Sequence, residues 1–112
     1  MIGRRLPDTI FGSLPDDIQP GDYWKYLSHE HPTEPMDCGD EHHAKGNLTR
    51  TVWGYMPPSG DGVGTLRIHT VREQDDGTIS VQSGDGSSNS ILHTRGDKTW
   101  HGYIEHGAWS GC

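Results

Sequence analysis

The sequence predicts a mainly β protein: a single small domain, an antiparallel curled sheet or open barrel of about six or seven strands with an extended N-terminal arm. Three observations carry this. Sixteen Gly and seven Pro in 112 residues favour a turn-rich fold over a helical one, because both residues punctuate regular structure. Apolar and polar side chains alternate along Gly62 to Arg72 and along Ile79 to Gln82, the period of a strand with one buried face. Four Trp and four Tyr provide large core anchors in a chain that is only 29% hydrophobic, which argues for a packed interior over global disorder.

The length suits one domain, and no segment repeats. Residues 1–21 read as a Pro-rich arm, because Pro7, Pro15 and Pro20 forbid a long helix and favour turns at Pro7-Asp8 and Pro15-Asp16-Asp17. Ile10, Phe11, Leu14 and Ile18 are its candidate anchors. Residues 22–112 form the β domain, beginning with a strand over Asp22 to Leu27 that sets Tyr23, Lys25 and Leu27 against Trp24 and Tyr26. Residues 28–46 turn abruptly to His, Glu, Asp and Pro, a surface loop inserted between strands and long enough to be a site in its own right. Asn47 to Met56 recovers strand character before Pro57-Pro58 ends it. Gly62 to Arg72 reads as one continuous strand, paired as a hairpin across Glu73-Gln74-Asp75-Asp76-Gly77 with Thr78 to Gln82. Ser83 to Ser90 is a loop without an apolar residue. Ile91-Leu92 resumes the apolar pattern, Thr99 to Glu105 is a last long strand, and a tight turn at His106-Gly107 brings Ala108-Trp109 back beside Tyr103-Ile104.

A net charge of −7 opposes binding to a nucleic-acid backbone, which needs Lys and Arg facing phosphates. No apolar run approaches the ~20 residues of a membrane span, and Met1-Ile2-Gly3-Arg4-Arg5 leads into Leu6-Pro7-Asp8 rather than a secretory core, so an intracellular protein is expected. Cys38 and Cys112, the two cysteines, lack redox-motif spacing and are expected as free thiols.

Three stretches concentrate chemistry. His29, His31, Cys38 and His42 lie on the acidic loop, and imidazole with thiolate is the ligand set that zinc prefers, although paired CxxC knuckles are absent. A zinc-stabilised domain or metal-dependent hydrolase is the alternative these four residues raise; otherwise no cofactor is expected. Gly84, Asp85, Gly86, Ser87, Ser88 and Asn89 offer backbone N–H groups and hydroxyls to an anion, without the Lys of a P-loop or a GxSxG elbow. On the last long strand His101, Tyr103 and Glu105 share one face and Gly102, Ile104 and His106 the other, so the two histidines do not converge as in a HExxH helix. With Trp100 as a stacking group, this strand and the Gly84 to Ser90 loop form the expected ligand-binding surface.

In Asp76-Gly77-Thr78-Ile79-Ser80-Val81, in Gly84 to Ile91 and in Trp100-His101-Gly102-Tyr103-Ile104-Glu105-His106-Gly107, the chain resembles small uncharacterised actinobacteriophage proteins of mycobacteriophage type. Arg4-Arg5-Leu6-Pro7 and Gly21-Asp22-Tyr23-Trp24-Lys25 fit the same pattern, and the resemblance spans most of the chain apart from the His-rich loop. It implies a viral origin and a host bacterial cytoplasm, and it brings no activity with it. The expected function is a phage accessory protein that binds a host or defence-system protein, or a small nucleotide, without catalysis. A self-associating virion component is a further alternative.

Overall fold

The computed structural model describes residues 1–9, 13–26, 52–66, 69–83 and 89–111. These residues are mainly β, with eight strands and no helix among them: β1 (Tyr23–Tyr26), β2 (Val52–Tyr55), β3 (Gly64–Leu66), β4 (Thr70–Glu73), β5 (Ile79–Gln82), β6 (Ile91–Arg95), β7 (Lys98–Glu105) and β8 (Ala108–Gly111). They form three antiparallel sheets, β1–β2–β3, β4–β5 and β6–β7–β8, none of them closed.

The local chemistry explains the hairpins. Between β4 and β5 Gly77 takes φ 87°, a value that glycine reaches without strain. The Asp76 carboxylate accepts bonds from the Thr78 hydroxyl at 2.6 Å and its N–H at 3.0 Å, which hold the Asp76 carboxyl below its ordinary range. At the β7–β8 turn both central residues are left-handed, His106 at φ 48° and Gly107 at φ 76°, the signature of a type I′ turn whose twist matches the flanking strands. The expected return of Ala108-Trp109 beside Tyr103-Ile104 is seen in the register Ile104↔Trp109 and Glu105↔Ala108.

The continuous strand expected from Gly62 to Arg72 is two strands in two sheets. β3 pairs with β2 through Trp53↔Leu66, whereas β4 pairs with β5 through Arg72↔Ser80. The physical reason is visible in the core: Leu66 and Val71 belong to opposite faces of an unbroken strand, yet both pack into the same apolar cluster, and one strand cannot point both inward. His69 sits at the bend and its Nε2 donates to the Ser90 carbonyl at 2.6 Å, fixing the chain where it changes sheet.

All three sheets contribute to the main core, in which Tyr23, Trp53, Tyr55, Leu66, Ile79, Val81, Ile91, Ile104 and Trp109 are buried and Val71 and Trp100 pack at its margin. A second cluster of Leu6, Trp24, Tyr26 and Val52, flanked by Ile18 and Val63, lies on the other face of β1 and β2. That division follows the alternation read along Asp22 to Leu27: Tyr23 faces one cluster, Trp24 and Tyr26 the other. Gly54 lies beneath the Trp24 indole, where a Cβ would overlap the ring. Of the expected N-terminal anchors Ile18 docks, Leu14 is exposed, and Ile10 and Phe11 lie outside the described residues.

Residues 1–9 bridge the β1–β2–β3 and β6–β7–β8 sheets. Ile2 pairs with Ala108, while Arg5 and Thr9 pair in parallel with Tyr23 and Tyr26. The Gly3 N–H donates to Gly107 O at 2.7 Å and the Leu6 N–H to Tyr23 O at 2.8 Å. Side chains reinforce this seam. The buried Asp22 carboxylate accepts Arg4 Nη2 and the Gln19 N–H, each at 2.8 Å, and Trp109 Nε1 donates to Gly21 O at 2.8 Å. Arg5 lies 4.7 Å from the Trp53 ring centroid and donates to Glu73 Oε2 at 3.0 Å and Gly77 O at 2.8 Å, so it holds the β4–β5 hairpin against the other sheets.

Between β2 and β6 the Tyr55 hydroxyl meets His93 Nδ1 at 3.1 Å, and His93 Nε2 meets the Asp61 carbonyl at 3.2 Å. A carbonyl only accepts, so Nε2 carries the proton and Nδ1 receives the Tyr55 O–H. Both side chains are buried, and burial pushes the Tyr55 phenol up to about 12.

Candidate binding cleft

The β4–β5 hairpin is pinned to the β7–β8 turn at one end, and a cleft opens from there. The Gly107 N–H donates to Ile79 O at 2.9 Å and the His106 N–H to Ser80 Oγ at 2.9 Å. Gln74 Nε2 also donates to Ser80 Oγ, at 3.2 Å, so the hydroxyl is a structural rivet. Away from this junction the polar face of the hairpin confronts the outer face of β7 and β8. Register decides which side chains meet: Arg72 and Ser80 are cross-strand partners, as are Thr70 and Gln82, and their neighbours Val71, Ile79 and Val81 point into the core. Tyr103 pairs with Ser110 on the facing ribbon.

The cleft has a volume of about 850 Å³, and its walls include Arg72, Gln82, Asn89, Tyr103, Glu105 and His106. That size lies within the ordinary range for small-molecule sites. Its lining differs from an apolar pocket in carrying a guanidinium, a carboxylate and three primary amides, those of Gln74, Gln82 and Asn89, around one aromatic ring. Neither Arg72 nor Glu105 forms an ion pair among the described residues, and the side-chain amides of Gln82 and Asn89 form no hydrogen bond among them.

The expected site residues divide into four groups. Asn89, Tyr103 and Glu105 are brought together on the cleft wall. His101 shares their exposed face, its ring 6.4 Å from that of Tyr103, and stands beside the cleft. Trp100 is not among the cleft walls: it is half-buried and its ring stands at 76° to that of Trp109, with centroids 5.3 Å apart. Gly84, Asp85, Gly86, Ser87 and Ser88 lie outside the described residues, as do His29, His31, Cys38 and His42. Among the described residues no group of three or more His, Cys, Asp or Glu side chains is placed to hold a metal ion, and no helix is long and apolar enough to cross a membrane.

No protein family, curated protein or solved structure matches this chain. The geometry of the cleft therefore carries the functional argument. Sequence reasoning missed Arg72, Gln82, Ser83 and Ser110. It expected the turn at His106-Gly107, where the structure has it, but grouped His106 with the face of Gly102 and Ile104; the left-handed turn ends the alternation at Glu105 and leaves His106 exposed at the cleft margin. The register of the hairpin was the available signal: counting outward from the Asp76-Gly77 turn pairs Arg72 with Ser80 and assigns both to the face opposite Val71 and Val81.

Proposed function

We propose that this chain is a non-catalytic binding protein whose recognition surface is the cleft between the β4–β5 and β7–β8 hairpins. One observation carries the reading. The exposed side chains of Arg72, Gln82, Asn89 and Glu105, whose polar atoms form no bond among the described residues, converge with Tyr103 on one concave surface. Unengaged donors and acceptors around an aromatic ring are what a polar partner needs for orientation and specificity. The hydroxyl nearest the junction, Ser80 Oγ, is bonded to an amide side chain and a backbone N–H instead of an imidazole that would activate it as a nucleophile.

In this reading residues 1–9 stitch the sheets into one curled scaffold, an open barrel carrying the cleft on its outside. Together with the resemblance to actinobacteriophage proteins, the cleft supports an accessory role in the bacterial cytoplasm, in which the protein occupies a host or defence-system component. The test is capture from host lysate on immobilised protein. Tyr103→Ala combined with Arg72→Ala serves as the cleft variant, since both side chains are exposed. A component retained by the wild type and lost by the variant is the expected result. Identical retention by both would remove the cleft as the recognition surface.

A further inference from the structure

We infer that the ligand of this cleft is a nucleotide bearing a single phosphate group, an inference that rests on the binding role proposed above. The protein carries a net charge of −7, and its described cations are otherwise engaged: Arg4 with Asp22, Arg5 with Asp8 and Glu73, Lys25 with Glu73, Lys98 with Asp61, and Arg95 with the Asp61 carbonyl. Arg72 alone of the described cations has no partner among the described residues, and it lines the cleft. A guanidinium presents paired N–H donors in a planar fork that fits phosphate oxygens. Held in a concavity of an acidic protein with no carboxylate bonded to it, its guanidinium is open to an anion.

The number of charges narrows the anion. Of the Arg, Lys, Asp and Glu side chains only Arg72 and Glu105 line the cleft, one guanidinium and one carboxylate. A polyphosphate needs several cations in its coordination, and the Glu105 carboxylate would repel its additional oxygens. One phosphate is matched by one guanidinium. Glu105 then accepts from the remaining donors of the ligand, such as ribose hydroxyls or an exocyclic amine.

The rest of the cleft suits a base. Tyr103, 38% exposed, lines the wall, and a base stacks on an aromatic side chain whatever its identity, because every base has a π-face. Gln82 and Asn89 each carry a donor and an acceptor on one planar amide, the pattern that reads the edge of a base. A sugar phosphate would leave the ring and the amides unused, and a nucleoside would leave Arg72 unpaired.

Titration of the full-length, isotopically labelled protein with AMP, adenosine, ribose 5-phosphate, ATP and a neutral trisaccharide tests this, read by amide chemical shifts. AMP is expected to move the resonances of Arg72, Gln82 and Tyr103. Adenosine and ribose 5-phosphate are each expected to bind at least about tenfold more weakly, a difference of about 1.4 kcal/mol. Arg72→Gln should bring AMP down to the affinity of adenosine and leave adenosine unchanged, while Tyr103→Leu should weaken both. Unchanged AMP affinity in Arg72→Gln, or equal binding of AMP and adenosine, overturns the inference. Binding of ATP more tightly than AMP overturns the single-phosphate assignment. Should the trisaccharide, or a protein captured from lysate, perturb the cleft while every nucleotide leaves it unmoved, the nucleotide inference fails and the binding role stands. If nothing perturbs it, both fail.

Discussion

Gly54 and Tyr55 are adjacent and constrain the protein in opposite ways, one by what it lacks and the other by what it buries. A methyl group at Gly54 would overlap the Trp24 indole, which is fully buried and has no room to retreat. Gly54→Ala should therefore lower stability by roughly 1–3 kcal/mol, the usual cost of overpacking, measured as a shift in urea midpoint at unchanged slope. Tyr55 gives a pH dependence whose sign follows from its neutral form being favoured by the fold. Its pKa rises to about 12 from an unfolded value near 10, so its contribution is complete below about pH 10 and is lost as pH climbs towards 12. The amount is about 2–3 kcal/mol. Alkaline titration at constant ionic strength, followed by tyrosinate absorbance and circular dichroism together, should show the Tyr55 phenol ionising only as the fold is lost. Tyr55→Phe should reduce that late phase to the part owed to Tyr23, whose phenol burial also pushes up. It also leaves His93 Nδ1 without its donor, at a cost of about 1–3 kcal/mol at neutral pH.

At the scale of elements, two hairpins were legible in the sequence for a physical reason: their turn residues and the register that those residues impose are local. Asp76-Gly77 and His106-Gly107 announce their turns, and alternation on either side assigns the faces. His106 is nevertheless a compromise, because a non-glycine residue at φ 48° bears a left-handed penalty of about 1–2 kcal/mol. Asn tolerates that conformation better and is favoured before Gly in such turns, so His106→Asn should raise the thermal midpoint by a few degrees. An unchanged or lower midpoint would show that the imidazole makes up for its strain. The break between β3 and β4 was not legible, since polar and apolar residues alternate straight through it. Only the shared destination of Leu66 and Val71 reveals the switch, and that is a property of three dimensions. Arg5 likewise looks like an ordinary arm cation until the Trp53 ring, Glu73 and Gly77 O are placed around it. Arg5→Lys keeps the charge and loses the planar fork and much of the stacking. It should cost about 1 kcal/mol and weaken cleft binding by loosening the hairpin, a pairing of effects that calorimetry and ligand titration can check on the same sample.

At the scale of the whole molecule, the anion site was the least legible feature because it depends on subtraction. Nothing in the composition marks Arg72 as different from the other basic residues; it stands out only after each described neighbour has found its carboxylate or carbonyl. The core is similarly collective. Tyr23 and Trp53 from β1–β2, Ile79 and Val81 from β5, and Ile104 and Trp109 from β7–β8 share one cluster, so no sheet retains a complete apolar interior without the others. Unfolding by urea should consequently be a single transition, with tryptophan fluorescence and far-ultraviolet dichroism superimposable. A separate early loss of the fluorescence signal would mean that one sheet detaches on its own.

The pairing of Ile2 with Ala108 bears on how the chain is made as well as on how it stands. A ribosome releases the first partner long before the second exists, and the parallel bridges from Arg5 and Thr9 to β1 lead into that same late seam. Nascent chains must wait with Tyr23 and Trp53 uncovered until the β7–β8 ribbon has emerged. Such distant contacts place refolding in the slow regime, on the order of milliseconds to seconds, and make the interval before closure the time of greatest exposure to chaperones and proteases.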